Sequence, residues 1–293
     1  MNILSFDIEE WYIEKFYKGD EDIKYRTYDA QLDRILEALD ENGINATFFC
    51  LGGLVEHFPH VVKKIAAAGH EIGSHSNHHR WINKMTPEEF RKDTEAAVKA
   101  LEDCTGMKVR SFRAPAFSIG EVNKWAFEIL HEYGIENDAS IFPKSRDFGG
   151  FSSFTGGNKP CRISYNGVTV NEFPISIGRL PVMGKPIAYS GGGYFRLLPL
   201  GFVENQIRNS DYTMCYFHIL DILDFKSKFM TREEYEKYFE ASGSFKNRLV
   251  RYCKSNLGRT RAFRGLKALM RDFDFINVEK AAESAGTFRI ITI

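Results

Sequence analysis

The sequence predicts an α/β protein in which a mainly parallel sheet is wrapped by helices. Short apolar runs alternate with stretches of helical periodicity, and parallel neighbours require such crossover connections. A chemically capable residue stands directly after several of the runs, namely Asp7, His75 and Arg113. In parallel α/β folds ligand sites gather at the C-terminal strand ends, so these distant residues are expected to converge.

The elements follow in order. Residues 3–6 form a short apolar run ahead of Asp7, Glu9 and Glu10, the pattern of a buried strand that ends in a functional loop. Leu32, Ile35, Leu36 and Leu39 recur at helical spacing, and Gly43 stops that helix. Residues 46–50 read as the second strand. Val61, Val62 and Ile65 mark a helix ending at Gly69, and residues 71–74 form a third strand that delivers His75. Thr86-Pro87-Glu88-Glu89 combines an N-cap hydroxyl, a proline at the first helical position and a capping-box glutamate, predicting a helix to about Thr105-Gly106. Residues 109–112 are the next strand. After about Phe148 the rhythm changes, and residues 162–165 and 168–175 around Asn166-Gly167 predict a β-hairpin inserted in the pattern. Residues 212–217 form a strand that delivers His218. Helical segments at about 231–270 then lead to a final strand at 288–293. One domain is expected over residues 1–293, with the motifs in 1–225 and a helical extension in 226–293.

With 43% hydrophobic and 27% charged residues the composition is that of a soluble globular protein. The formal net charge is zero, so no global field draws the chain to nucleic acid, and nucleic acid is not expected as a partner. Five scattered cysteines without a CxxC pair point to buried free thiols. The first residues read as a strand rather than an export signal, and no run approaches the ~20 apolar residues of a membrane span, so a cytoplasmic location is expected.

His75 and His79 stand four residues apart, which on a helical turn places both imidazoles on one face, the spacing of two-histidine metal sites. One carboxylate completes a His-His-carboxylate set that leaves positions open for water and substrate. Alternation along an extended chain points Asp7 and Glu9 to the same side and turns Ile8 toward the core, so one can bind metal while its neighbour acts as base.

Taken in order, Ser5-Phe6-Asp7-Ile8-Glu9, His75-Ser76-Asn77-His78-His79, Arg113-Ala114-Pro115-Ala116-Phe117, residues 138–143 and Tyr216-Phe217-His218 resemble the five motifs of the polysaccharide deacetylase superfamily, the NodB-homology fold of carbohydrate esterase family 4. Residues 171–174 and 191–199 further resemble an exopolysaccharide-associated subgroup related to allantoinase-like members. The resemblance implies a distorted β/α barrel and hydrolysis of the N-acetyl amide of an amino sugar in a glycan. It implies a divalent metal, expected to be Zn2+, on Glu9, His75 and His79, with Asp7 as base and His218 as acid. It also implies that Arg113 orients Asp7 and lowers its pKa, and that Asp138 supports the acid histidine. Most family members carry two adjacent aspartates in the first motif, whereas here Ile8 holds the second place, and the subgroup spacing assigns the ligand role to Glu9.

Two other readings stay open. One is an allantoinase-like hydrolase of a small amide, independent of metal, for which a narrow pocket would speak. The other is a catalytically silent carbohydrate-binding protein. Lys246, Arg248, Arg251, Lys254, Arg259, Arg261, Arg264, Lys267 and Arg271 follow one another with no acidic residue between. Interleaved apolar residues make this tract a set of amphipathic helices, read first as a solvated face. The sharper alternative is docking to an acidic polysaccharide, a lipid-linked glycan phosphate or an anionic membrane.

Overall fold

The computed structural model describes residues 1–18, 22–145, 149–179, 186–224, 228–239 and 241–293; Phe148, where the sequence pattern changes, lies outside them, as does the side chain of Lys254. Eleven strands occur among the described residues. They are β1 (Asn2–Ile8), β2 (Thr47–Cys50), β3 (Glu71–Ser74), β4 (Ser111–Phe112), β5 (Asn137–Asp138), β6 (Cys161–Tyr165), β7 (Val168–Glu172), β8 (Gly178–Arg179), β9 (Pro186–Ile187), β10 (Thr213–His218) and β11 (Arg289–Thr292). Nine build one sheet in the order β10-β1-β2-β3-β4-β5-β7-β6-β11, while β8 and β9 form a separate ribbon. From β10 to β7 every pairing is parallel, β6 runs antiparallel to β7, and β11 runs parallel to β6.

Among the described residues no ladder closes the sheet into the expected β/α barrel. The chain leaving β7 approaches β10 through side chains rather than a ladder: Tyr212 Oη donates to Pro174 O at 2.9 Å, and Met214 N donates to Ser176 Oγ at 2.8 Å. The hairpin joins the sheet through its second strand, since β7 pairs with β5. Its Asn166-Gly167 turn has positive φ at both residues, 45° and 85°, the geometry that suits strand twist in a two-residue loop.

Alternation along the strands separates two cores. Leu4, Phe6 and Ile8 of β1 pack outward with Phe48, Phe112 and Phe217 beneath the helices. Ile3, Phe49, Met214 and Tyr216 face inward. The inward set also carries polar groups, among them Ser5, Asp7, Glu71 and Arg113, all buried. The helix Pro87–Thr105 has both halves of the capping box and ends at Gly106 with φ 70°, as its sequence signals predict. At the far end of the barrel the Glu71 carboxylate accepts from Thr47 Oγ1, Ser111 Oγ and the backbone N of Glu279, in the first turn of the helix Val278–Ala282. A helix N-terminus is a favourable place for a buried acid, although burial still raises the Glu71 pKa. All five cysteines are free, and no helix among the described residues is long and apolar enough to cross a membrane.

Candidate metal and acid-base site

β1 and β3 lie on either side of β2, so their C-terminal ends open onto one rim. Glu9 follows β1 and His75 follows β3. Glu9 Oε2 stands 2.7 Å from His79 Nε2 and 3.4 Å from His75 Nε2. The motif that holds the two histidines is not the helical turn the spacing suggests. Ser76 and His79 adopt positive φ, 70° and 58°, and His79 N donates to Ser76 Oγ at 3.0 Å, folding residues 75–79 into a tight loop. Asp93, from the helix Pro87–Thr105, accepts from Asn77 N at 2.8 Å and pins that loop. His78 turns away to Tyr12 Oη at 2.7 Å.

These residues fit a divalent cation. One ligand atom each from Glu9, His75 and His79 lies within 4.8 Å of the others. His75 Nδ1 is 2.8 Å from the carbonyl of Arg113, which makes Nδ1 the donor and leaves the Nε2 lone pair facing Glu9. Glu9 Oε2 is buried without an aligned donor, a costly state for a carboxylate oxygen unless a cation satisfies it. Burial alone would raise the Glu9 carboxyl, but the charges of His79 and His218 hold it well below the usual range.

Asp7, one alternation before Glu9, points to the same side as expected. Arg113 is fully buried and donates to Asp7 Oδ1 at 2.7 Å, to Ser5 Oγ at 2.9 Å and to the Ala139 carbonyl at 3.2 Å, with its guanidinium 4.2 Å above the Phe49 ring. Held on four sides, this cation fixes the Asp7 carboxylate while Asp7 Oδ2 faces His218 Nε2 at 3.8 Å. Ala116 and Phe117 both have φ 54°, a strained turn that lays the Phe117 ring edge-on against Tyr216 at 5.2 Å.

His218 ends β10, which pairs with β1 so that Asp7 and His218 are register partners. Its Nε2 stands 3.7 Å from Glu9 Oε1. Its Nδ1 meets Asp221 Oδ2 at 2.8 Å, and Asp221 Oδ1 meets Arg196 at 3.5 Å. Burial pulls the His218 pKa down, but Glu9, Asp221 and Asp7 together raise it well above the ordinary value. Asp221 is itself lowered: burial acts against this, and the His218 hydrogen bond and charge outweigh it.

Asp138 does not hold the place expected of it. Asp221, not Asp138, supports the acid-side histidine. Asp138 is partnered across β5 and β7 with Glu172, its register neighbour, and accepts from Ser140 Oγ, which in turn accepts from Ala114 N at 2.8 Å. Asp138 Oδ2 and Glu172 Oε2 are both buried without a donor, so a proton held between the two carboxyls satisfies both. Burial raises both acids, Glu172 more strongly with the Asp138 charge beside it.

Sequence reasoning also missed Asp221 and Arg196. A signal for Asp221 existed, since it stands three residues after His218, in the capping-box relation to the short helix Ile219–Ile222, and accepts from His218 N at 3.2 Å. Arg196 had none, but its neighbours explain the glycine run ahead of it. A Cβ on Gly191 would stand 2.1 Å from the Tyr216 carbonyl, and Gly192 has φ +55°. Only glycine lets this segment lie on β10 and begin the helix Gly192–Leu197 that carries Arg196.

Asp7, Glu9, His75, His79, His218, Asp221 and Arg196 line one groove of about 1100 Å³, which runs from the Glu9-His75-His79 cluster past Arg196 to Arg248 and Tyr252. Comparison with known proteins agrees with the geometry. Residues 19–137 match the family model described as polysaccharide deacetylase, and residues 139–283 match a domain of unknown function. Residues 19–137 thus carry a polysaccharide deacetylase domain. It is 36% identical over 96 residues to a peptidoglycan-N-acetylglucosamine deacetylase of Bacillus cereus, covering 32% of this chain and 35% of that one. It is 34% identical over 101 residues to the peptidoglycan-N-acetylglucosamine deacetylase PgdA of Listeria monocytogenes, covering 34% and 20%. The chain thus spans about a third or less of the length of these two relatives. A crystal structure of a putative polysaccharide deacetylase from Mycobacterium smegmatis shares the fold, with a TM-score of 0.65 at 17% identity over 100% of this chain and 92% of that one.

Proposed function

We propose that the chain hydrolyses the N-acetyl amide of an amino sugar within a glycan, with a divalent ion, Zn2+ in first place, on Glu9, His75 and His79. The observation that carries this reading is the convergence of these three ligand atoms with Asp7 and His218 on one groove. When bound, such an ion supplies Lewis acidity toward the amide carbonyl and makes water a stronger nucleophile near neutral pH. Asp7, held by Arg113 through Oδ1, accepts the proton of the attacking water on Oδ2. His218, tied through Nδ1 to Asp221, directs Nε2 into the groove and gives its proton to the sugar nitrogen as the carbon–nitrogen bond breaks, so the amine leaves neutral. The Asp221 carboxylate at Nδ1 favours the protonated imidazole that this role needs. The names of the Bacillus cereus and Listeria monocytogenes relatives support an N-acetylglucosamine polymer as the substrate class.

The test pairs elemental analysis of the purified chain with acetate release from N-acetylglucosamine oligomers, before and after chelation. About one metal per chain is expected, with chelator-sensitive acetate release. His79→Ala should lose the metal and about 10²–10³-fold of the rate, the scale of removing one electrostatic stabiliser. Acetate release that survives both chelation and His79→Ala overturns the metal assignment, and a metal-loaded chain that releases none from any N-acetylated glycan overturns the reaction.

A further inference from the structure

The helix Phe245–Asn256 is anomalous for a folded chain. It is twelve residues long and carries Phe245, Leu249, Val250, Tyr252 and Cys253, yet none of its described side chains is buried. Phe245 is 64% exposed, Val250 44% and Leu249 41%, and Leu257, just beyond the helix, is 55% exposed. At 3.6 residues per turn Phe245, Leu249 and Cys253 fall along one stripe with Val250 on its flank, while Arg248 and Tyr252 turn inward to line the groove. Lys246 lies within the outward stripe, whereas Arg251 turns to the groove side, 4.9 Å over the Phe239 ring.

The rest of the basic tract divides by what it touches. Arg259 and Arg261 are structural: Arg259 donates to the carbonyls of Leu220 and Leu223 at 3.0 and 3.1 Å, and Arg261 to that of Arg196 at 2.7 Å. Arg248 donates to Met230 O at 3.0 Å and lies 5.0 Å over the Phe229 ring. Lys246, Arg251, Arg264 and Lys267 remain exposed to solvent.

We propose that this helix is a docking surface for an anionic lipid bilayer. An outward stripe of large apolar side chains that includes Lys246, in a tract with no acidic residue from 246 to 271, is the chemistry of an interfacial helix, which buries its apolar face at the headgroup boundary while basic side chains meet anionic lipid. A second copy of the chain fits the face poorly, because a two-fold contact would set the same basic stripe against itself. Since Arg248 and Tyr252 belong both to this helix and to the outer end of the groove, docking would bring the groove mouth to the membrane surface. The proposal goes beyond the reaction proposed above and stands or falls separately from it.

The test is sedimentation of the full chain with phosphatidylcholine vesicles, with and without about a third phosphatidylglycerol, at low and high salt. Binding to the anionic vesicles is expected, weakened by salt within the screening range of surface charges. The double variant Phe245→Ser and Leu249→Ser, and separately Lys246→Glu, should each lower the partition coefficient about tenfold or more. Both leave the groove lining untouched, so thermal stability and acetate release from soluble oligomers should stay at the parent level. Failure to bind anionic vesicles, or binding unchanged in the double variant, overturns the proposal. So does a concentration-dependent dimer that the double variant abolishes, since the face would then be covered by a second copy.

Discussion

One wall of the groove gathers Glu9, His75 and His79 from two strand ends, with the two histidines only four residues apart and Glu9 directly after β1. The acid-side wall takes His218 from β10, Asp221 from the turn after it and Arg196 from a helix twenty residues upstream. The first wall lies mainly in the segment that matches polysaccharide deacetylases, the second wholly in the segment that matches a domain of unknown function. The two segments nevertheless share one sheet, joined through β5–β7 and β1–β10. The difference teaches that the Glu9-His75-His79 wall is specified by short motifs, while the His218-Asp221-Arg196 wall is assembled by packing.

The sharpest way to separate the walls is His218→Ala. It should lower kcat by about 10²–10⁴-fold, the range for a lost general acid, while leaving metal content intact. Loss of metal in that variant would show that the walls are not independent. Asp221→Asn should cost less, roughly 10²-fold, through a mispositioned imidazole. Asp221 favours the charged imidazole, so its removal lowers the His218 pKa, and because His218 acts while protonated, the basic limb of the pH–rate profile should move to lower pH. A basic limb that stays in place or moves upward would refute the role given to Asp221.

Arg196→Met tests the third member of that chain, and its effect should be smaller than that of Asp221→Asn. We expect a fall in kcat with little change in KM, and a basic limb displaced in the opposite direction, because an Asp221 relieved of its cation raises His218 further. A fall in KM-dependent binding alone would make Arg196 a substrate contact instead.

The smallest effect belongs to the acid pair behind both walls. Burial raises Asp138 and Glu172 in the folded chain, so between the ordinary carboxylate pKa and the raised values the folded state binds more protons than the unfolded one. Stability therefore falls as pH rises through that window. Glu172→Gln replaces the shared proton with an amide donor of similar shape and should flatten the fall, by about 1.4 kcal/mol for each pKa unit removed. A melting-temperature profile against pH as steep as the parent's would contradict the shared proton.

Much of this was legible in the sequence because the signals are local. Thr86 to Glu89 specify their helix start within four residues. The period-two alternation that sends Ile8 into the outer core sends Asp7 and Glu9 to the groove, as the spacing predicts. The tight loop of residues 75–79 preserved the pairing of His75 and His79 although it is not helical, because two left-handed residues bring the rings as close as a helical turn would.

By itself, then, the sequence determined the α/β class, the clustering of Glu9, His75 and His79, the place of Asp7 beside them and the histidine at the end of β10, since each depends on residue type and short spacing. Only the tertiary structure decided which carboxylate stands behind that histidine. Asp138 and Asp221 both follow plausible patterns, but strand order puts β5 against β7, where Asp138 finds Glu172, and puts β10 against β1, where His218 meets Asp7 and turns its other nitrogen to Asp221. Pairing between strands is a property of the assembled sheet, and the β1–β10 pairing joins residues some two hundred positions apart that no local pattern encodes.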